Sequence, residues 1–316
     1  ILHLLTRLSK EVQSEDGGTA SDIYRGKYNN REMCVKVPRI IRKKNMRILR
    51  THAKDFALSC SLSHPNILPF YGIYVSQENS PRICIVSLWM ANGDLVDFLE
   101  AEKPFPKPAL VHLIADVAAG LHYLHKLEIV HADLKGKNIL VSHTGRAVIA
   151  DFGISRVIKT NYQTTEPSNG TLNWMAPELL TGGRGKKPTT WSDIWAFGCV
   201  CYEVYAGEAP FSEYENFAQM ASACHDHALN IPTILPVMRG TPGEEDRHTW
   251  NLMLKCWNYE PTSRPTSKEL SESIAVSADD QFHENDLILS TLVKERSQLA
   301  TKVVANKCLR MFQLLR

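Results

Sequence analysis

His131-Ala132-Asp133-Leu134-Lys135-Gly136-Lys137-Asn138-Ile139-Leu140, read together with Asp151-Phe152-Gly153, is the stretch from which the rest of the chain is understood. It gathers an aspartate, a lysine, an asparagine and a second aspartate into a short span. Apolar runs lie between and beside them: Ile129-Val130, Ile139-Leu140-Val141 and Ala147-Val148-Ile149-Ala150. Their length and β-branched content predict short buried strands, with Ser142-His143-Thr144-Gly145 as the turn between the last two. The polar groups then fall on loops at strand ends, held by a rigid frame. Their chemistry suits one task. A carboxylate takes a hydroxyl proton, an ammonium meets a phosphate, and Asn plus a second Asp offer hard oxygens to Mg²⁺.

The run resembles the catalytic loop of eukaryotic protein kinases, H-R-D-L-x-x-x-N, followed by D-F-G. Ala132 stands where that family usually has Arg. Other motifs follow in kinase order. Met175-Ala176-Pro177-Glu178 resembles A-P-E, and Ser192-Asp193-Ile194-Trp195-Ala196-Phe197-Gly198 and Arg264-Pro265 come after it. Ordered motifs are far more specific than any one alone. The resemblance covers about residues 17–276. It implies an α+β, two-lobed protein kinase fold with a small β-rich N-lobe and a larger helical C-lobe. Residues 1–90 would form the N-lobe, with an N-terminal extension over 1–13. Residues 91–276 would form the C-lobe and 277–316 a helical C-terminal tail. ATP and Mg²⁺ are expected in the cleft between the lobes.

Composition agrees with a globular chain. The 316 residues are 44% hydrophobic and 22% charged, enough for a large core in two lobes. A net charge of +2 gives no field that argues for nucleic acid. The 8 cysteines show no C-x-x-C, which suits reduced thiols in an intracellular, cytoplasmic protein. No apolar run reaches the length of a membrane-spanning helix. The opening Ile1-Leu2-His3-Leu4-Leu5 is too short for a signal peptide. An opening Ile in place of Met leaves room for a longer parent protein.

The N-terminal motifs are less regular. Residues 1–13 alternate weakly, as a leading strand would. Aligned on the kinase glycine loop G-x-G-x-x-G-x-V, only the middle glycine, Gly18, is present. Asp16 and Ser21 take the outer two positions and Ile23 that of the Val. Taken alone, these residues fit a plain hairpin better than a phosphate cover. Residues 33–37 form a β-prone run similar to V-A-I-K. Lys36 would then orient the α- and β-phosphates, and Cys34 would cover the adenine. The next helix ends near His64-Pro65, because Pro65 disfavours helical backbone at His64. Counting back from there places Asp55 as the partner of Lys36. The family uses Glu, and Asp is shorter by about 1.5 Å. Residues 83–87 read as a buried strand entering a hinge. Ser87 would be the gatekeeper, and the backbone of Leu88, Trp89 and Met90 would meet adenine. Asp94 either caps the following helix or reaches the ribose. Leu140 is counted with these nucleotide-binding positions.

Leu110, Leu113, Ile114, Val117, Leu121 and Leu124 form the stripe of an amphipathic helix that delivers the chain to the catalytic loop. His122 and His125 lie on it, but no third ligand follows at metal spacing, so zinc is not expected. The resemblance assigns Asp133 the substrate hydroxyl's proton, Lys135 the γ-phosphate, and Asn138 and Asp151 the Mg²⁺. It makes Asp193 a brace for the catalytic-loop backbone and pairs Glu178 with Arg264. Lys135 and Gly170-Thr171 resemble Ser/Thr kinases. Trp174 to Glu178 and Trp191 to Trp195 look tyrosine-kinase-like. That mixture resembles the tyrosine-kinase-like group, whose members mostly phosphorylate Ser and Thr on protein substrates. A catalytically silent scaffold of the same fold and a tyrosine-specific kinase remain the alternatives. In the tail, Val293, Ala300, Val304, Cys308, Met311 and Leu315 are interleaved with Lys294, Arg296, Lys302, Lys307 and Arg310. This reads as a basic amphipathic helix, packed on the body or solvated, with partner or membrane-surface contact as the alternative.

Overall fold

The computed structural model of the chain describes residues 9–15, 21–28, 31–38, 62–75, 83–101, 107–151, 169–181, 186–231 and 244–275. These residues fall into two compact units, one ending at Ala91 and the other beginning at Asn92.

The first unit carries an antiparallel sheet of β1 (Ser9–Glu15), β2 (Ser21–Tyr28), β3 (Arg31–Pro38), β4 (Phe70–Val75) and β5 (Ile83–Leu88). Their spatial order is β1-β2-β3-β5-β4. Strand β3 shows why. Met33, Val35 and Val37 are buried, while Cys34 and Lys36 between them are half-buried. That alternation is the period of a strand with one core face. The register then sorts the opposite face. Ile23 lies across from Lys36, and Lys36 from Ile85. Arg25 lies across from Cys34, and Cys34 from Ser87. Directly opposed residues share a face, so Ile23, Cys34, Lys36 and Ser87 stand together. Beyond β5, the Trp89 N–H donates to the Glu32 carbonyl at 3.1 Å. The Arg25 guanidinium sits 5.1 Å from the Trp89 ring centroid and pairs with Glu32 at 2.6 Å. The glycine turn at 16–20 and the helix expected to end near residue 62 lie outside the described residues.

Among its described residues the second unit is helical except for one small hairpin. It contains α1 (Leu95–Ala101), α2 (Lys107–Lys126), β6 (Ile139–Val141), β7 (Ala147–Ile149), α3 (Pro177–Thr181), α4 (Thr190–Ala206), α5 (Phe217–His225), α6 (Glu244–Cys256) and α7 (Ser267–Ala275). The stripe of α2 is buried throughout, and α2 packs against α4, α7 and β7. Helix α4 opens with a capping box between Thr189 and Ser192 and closes at Gly207, whose φ is 79°. It is buried on nearly every side, which makes it the beam of this unit. Gly198 permits this. A Cβ there would stand 2.9 Å from Trp257 Nε1, so the glycine lets the end of α6 approach.

One sequence expectation fails here. Ile129-Val130 is not a strand. Both residues are half-buried and follow the end of α2. Glu128 adopts a left-handed φ of 57°, and the Ile129 N–H donates back to the Leu124 carbonyl at 3.0 Å. This is the six-to-one closure of a helix end, so that N–H serves the helix and not a ladder. The other two runs pair as expected, Ile139 with Ile149 and Val141 with Ala147. Ala150 lies just past the strand. Among the described residues, no helix is long and apolar enough to cross a membrane.

Candidate active site

The site begins with the first turn of α4. Asp193 is 1% exposed, and a buried carboxylate needs donors. It has three. The His131 N–H donates to Oδ2 at 2.7 Å, the Ala132 N–H to Oδ1 at 2.9 Å, and His125 Nε2 to Oδ2 at 3.0 Å. Ala132 needs this support. Its φ of 68° lies in the left-handed region, which costs an L-residue about 1–2 kcal/mol. Asp193→Asn keeps one acceptor oxygen but turns an amide toward a backbone donor. The expected loss is about 2 kcal/mol, read as a lower midpoint in chemical denaturation.

His131 extends the frame. Its ring is fully buried, with Nε2 at 2.9 Å from the Ala150 carbonyl and Nδ1 at 3.2 Å from the Asp133 N–H. A carbonyl only accepts and an N–H only donates, so the proton sits on Nε2. The imidazole thereby ties the loop at Asp133 to the residue before Asp151.

Around Asp133 the polar groups converge. Asn138 Nδ2 donates to Asp133 Oδ2 at 3.0 Å and to the Asp133 carbonyl at 2.7 Å. Lys135 Nζ stands 3.7 Å from Asp133 Oδ2, with the two side chains 17% and 12% exposed. The Ala150 N–H donates to the Asn138 carbonyl at 2.9 Å, which brings the backbone of Asp151 beside Asn138. Asp151 has a left-handed φ of 58°. Because Asn138 donates through its amide nitrogen, its Oδ1 is left as a hard oxygen. Its Oδ1 and the Asp151 carboxylate are hard oxygens of the kind Mg²⁺ accepts, and these two side chains could hold the ion. Among the described residues, no group of three or more His, Cys, Asp or Glu is placed to hold a metal. His125, which shares α2 with His122, donates to Asp193.

The remaining predicted residues divide between the units. Leu140 is half-buried on β6 and bridges to Asp94, with the Val141 N–H donating to the Gly93 carbonyl at 2.9 Å. Asp94 caps α1 by accepting from the Val96 and Asp97 N–H groups at 3.0 and 3.1 Å. Its other oxygen meets Lys137 Nζ at 3.2 Å. Burial pushes the Asp94 carboxyl above its usual range, and the Lys137 hydrogen bond pulls Asp97 down. In the first unit, Ile23, Cys34, Lys36 and Ser87 share the sheet face described above. Leu88 and Met90 beyond them are buried and Trp89 half-buried. Gly18 and Asp55 lie outside the described residues, as do Asp16, Phe152 and Gly153.

Glu178 and Arg264 form the expected ion pair. Arg264 Nη1 and Nη2 reach the two Glu178 carboxylate oxygens at 2.8 and 2.7 Å. Sequence reasoning missed another acid, Glu203, on the fourth turn of α4. Its Oε2 accepts from the Gly136 N–H at 2.9 Å and from Trp174 Nε1 at 2.8 Å. The signal was a lone carboxylate within Cys199-Val200-Cys201-Tyr202-Glu203-Val204, an otherwise apolar run that has to be buried.

Known proteins align over most of this framework. Serine/threonine-protein kinase STY17 of Arabidopsis thaliana is 30% identical over 273 residues, covering 85% of this chain and 45% of that protein. Mitogen-activated protein kinase kinase kinase 12 of Rattus norvegicus is 28% identical, covering 82% of this chain and 26% of its own length. Mitogen-activated protein kinase kinase kinase 13 of Mus musculus is 29% identical, with coverages of 82% and 24%. The chain thus spans less than half the length of these relatives. Residues 10–274 match the family model described as protein tyrosine and serine/threonine kinase. A match of that extent takes in both the sheet that carries Lys36 and the loop that gathers Asp133, Lys135 and Asn138, and the chain belongs to the protein tyrosine and serine/threonine kinase family.

Proposed function

We propose that this chain is an ATP-dependent protein kinase that phosphorylates Ser and Thr hydroxyls of protein substrates. The observation that carries the reading is the convergence at Asp133, with Asn138 at 3.0 Å and Lys135 at 3.7 Å. Asp133 would take the proton of the attacking hydroxyl, with Asn138 fixing the carboxylate's orientation. Lys135 would face the charge that develops on the transferred group. Asn138 and Asp151 would hold Mg²⁺, which when bound neutralises phosphate charge. Lys36 would orient the α- and β-phosphates, paired with Asp55, and Gly18 would approach them through its backbone. Ile23, Cys34, Ser87, Leu140 and the hinge backbone of Leu88, Trp89 and Met90 would border the base. Asp94 would stand at the ribose. Residues 1–90 would then be the N-lobe, 91–276 the C-lobe and 277–316 a C-terminal tail. Free thiols at the described cysteines support a reducing, intracellular setting.

Lys135, two residues after Asp133, favours Ser and Thr over Tyr, and the relatives above are named for that specificity or for kinase kinase kinases. A silent scaffold is the second reading. It is favoured by Asp16 and Ser21 in the glycine loop and by Asp55 in the place of Glu. The test is Mg²⁺-dependent transfer of the labelled γ-phosphate of ATP to a generic protein, followed by phosphoamino-acid analysis. Phosphoserine and phosphothreonine are expected. Phosphotyrosine alone overturns the specificity. No transfer, in a folded sample whose melting temperature ATP still raises, establishes the scaffold.

A further inference from the structure

We propose that Lys137 sets the sugar specificity of this chain: its ammonium occupies the Asp94 oxygen that would otherwise receive a ribose hydroxyl, so that deoxyribose forms of ATP serve nearly as well as ATP. The inference rests on the kinase reading, in which Asp94 stands at the ribose, and deepens it.

Asp94 is held from several sides. Its backbone bridges to Leu140 on β6, and its carbonyl accepts the Phe98 N–H of α1 at 2.9 Å. Its Oδ1 accepts from the Val96 and Asp97 N–H groups at 3.0 and 3.1 Å. A carboxylate oxygen offers about two lone-pair sites, so Oδ1 is full. Turning the carboxylate would uncap the helix. Oδ2 is the oxygen left for a ligand, and Lys137 Nζ stands 3.2 Å from it. With the Asp94 side chain 16% exposed, little of that oxygen remains for a second donor.

The ammonium is itself fixed. It reaches Asp97 Oδ1 at 2.6 Å, and Asp97 belongs to the first turn of α1. Lys137 is the middle residue of the short turn Gly136–Asn138, which packs against α1. Both ends of the lysine are therefore anchored, one in the turn and one between two acids. A lone carboxylate is a strong acceptor for a hydroxyl. One whose charge is compensated by an ammonium is a weaker one, and the hydroxyl has to share the oxygen with Nζ. Taking that hydroxyl off the sugar then costs little.

The experiment compares ATP with 2′-deoxyATP and 3′-deoxyATP, because either hydroxyl of the ribose is within the chemistry of an acid at the sugar. The samples are the unaltered chain, Lys137→Met and Lys137→Arg. Exposed ion pairs contribute little to stability, so Lys137→Met is expected to fold. The readouts are kcat/KM for transfer and the rise in melting temperature that each nucleotide gives with Mg²⁺. Burial pushes the Asp94 carboxyl up and Lys137 opposes it. The assay is therefore run at alkaline pH, where Asp94 stays ionised without the ammonium.

The unaltered chain is expected to use all three nucleotides within about threefold. In Lys137→Met the preference for ATP over one of the analogues rises to about tenfold, the factor that a hydrogen bond to a free charge is worth. The gain lies in KM for ATP, as expected for a contact made equally before and during transfer. ATP then raises the melting temperature more than that analogue does. Lys137→Arg, which keeps a cation beside Asp94, stays with the unaltered chain. A tenfold preference for ATP in the unaltered chain overturns the proposal. So does a preference in Lys137→Met no larger than in the unaltered chain, the result of a lysine that only ties the turn to α1. No transfer, with melting shifts that follow the expected pattern, supports the role of Lys137 and overturns the kinase reading alone. No melting shift with any nucleotide, in a folded sample, overturns both.

Discussion

Asp133→Asn is expected to lower kcat by about a hundred- to ten-thousand-fold, the range that a positioned general base contributes. Stability should hardly move, because asparagine has the same shape. Its side-chain oxygen can still accept from Asn138 Nδ2, which stands 3.0 Å from the carboxylate. The ion pair with Lys135 is lost, but it spans 3.7 Å with both side chains partly exposed. Such pairs contribute about 0–1 kcal/mol. KM for ATP should stay within about twofold, because the lost function lies at the hydroxyl being deprotonated and not at the nucleotide. Steady-state kinetics beside a thermal melt separate the outcomes. A kcat within about fivefold of the original, with the fold intact, would remove Asp133 from the role of base.

The second large effect concerns stability. The Arg264 side chain is fully buried, and all five of its N–H donors find acceptors. Nε donates to the Asn258 carbonyl at 2.8 Å. Nη1 serves Glu178 and the Trp191 carbonyl at 2.8 and 2.9 Å. Nη2 serves Glu178 and the Tyr259 carbonyl at 2.7 and 3.4 Å. The guanidinium also lies 5.2 Å from the Trp195 ring centroid. Arg264→Ala leaves the Glu178 carboxylate and three carbonyls without their donor. Removing one member of a buried pair costs about 3–5 kcal/mol. For a unit of this size that lowers the melting temperature by roughly 10 °C. Arg264→Lys should recover only a small part, because an ammonium cannot reproduce a planar bidentate fork. A melt within about 2 °C of the original for Arg264→Ala would show that the pair is not an anchor.

Much of this architecture was legible before any coordinates. The β-prone run over 33–37, the apolar run over 83–87 and the stripe of α2 each name their element, because residue type and burial leave their mark in the sequence. The roles of Asp193 and of the Glu178–Arg264 pair came from resemblance, and their hydrogen bonds match it. What sequence could not supply were the partners. Ile129-Val130 has a strand's composition, yet composition reports burial and says nothing of where an N–H is satisfied. There it closes α2. His125 had no role that its sequence neighbours could assign, because its partner Asp193 lies on another helix, far along the chain. Glu203 was overlooked for the same reason. No local period links it to Gly136 or Trp174. Of the candidate site residues, those of the catalytic loop are drawn together, while Gly18 and Asp55 fall outside the described residues.

The two acids on α4 fix more than a loop. Asp193 and Glu203 stand ten positions apart on a single helix. That is about 15 Å and 2.8 turns, which places the two anchors about 80° apart around the axis. The catalytic loop is bolted at both points, at His131 and Ala132 by one acid and at Gly136 by the other. Adding or deleting one residue between them would swing one anchor by about 100° relative to the other. No side-chain change could restore the match. The length of this segment is therefore a constraint in its own right. In any lineage that keeps the site, residues between the two acids can be exchanged but not gained or lost.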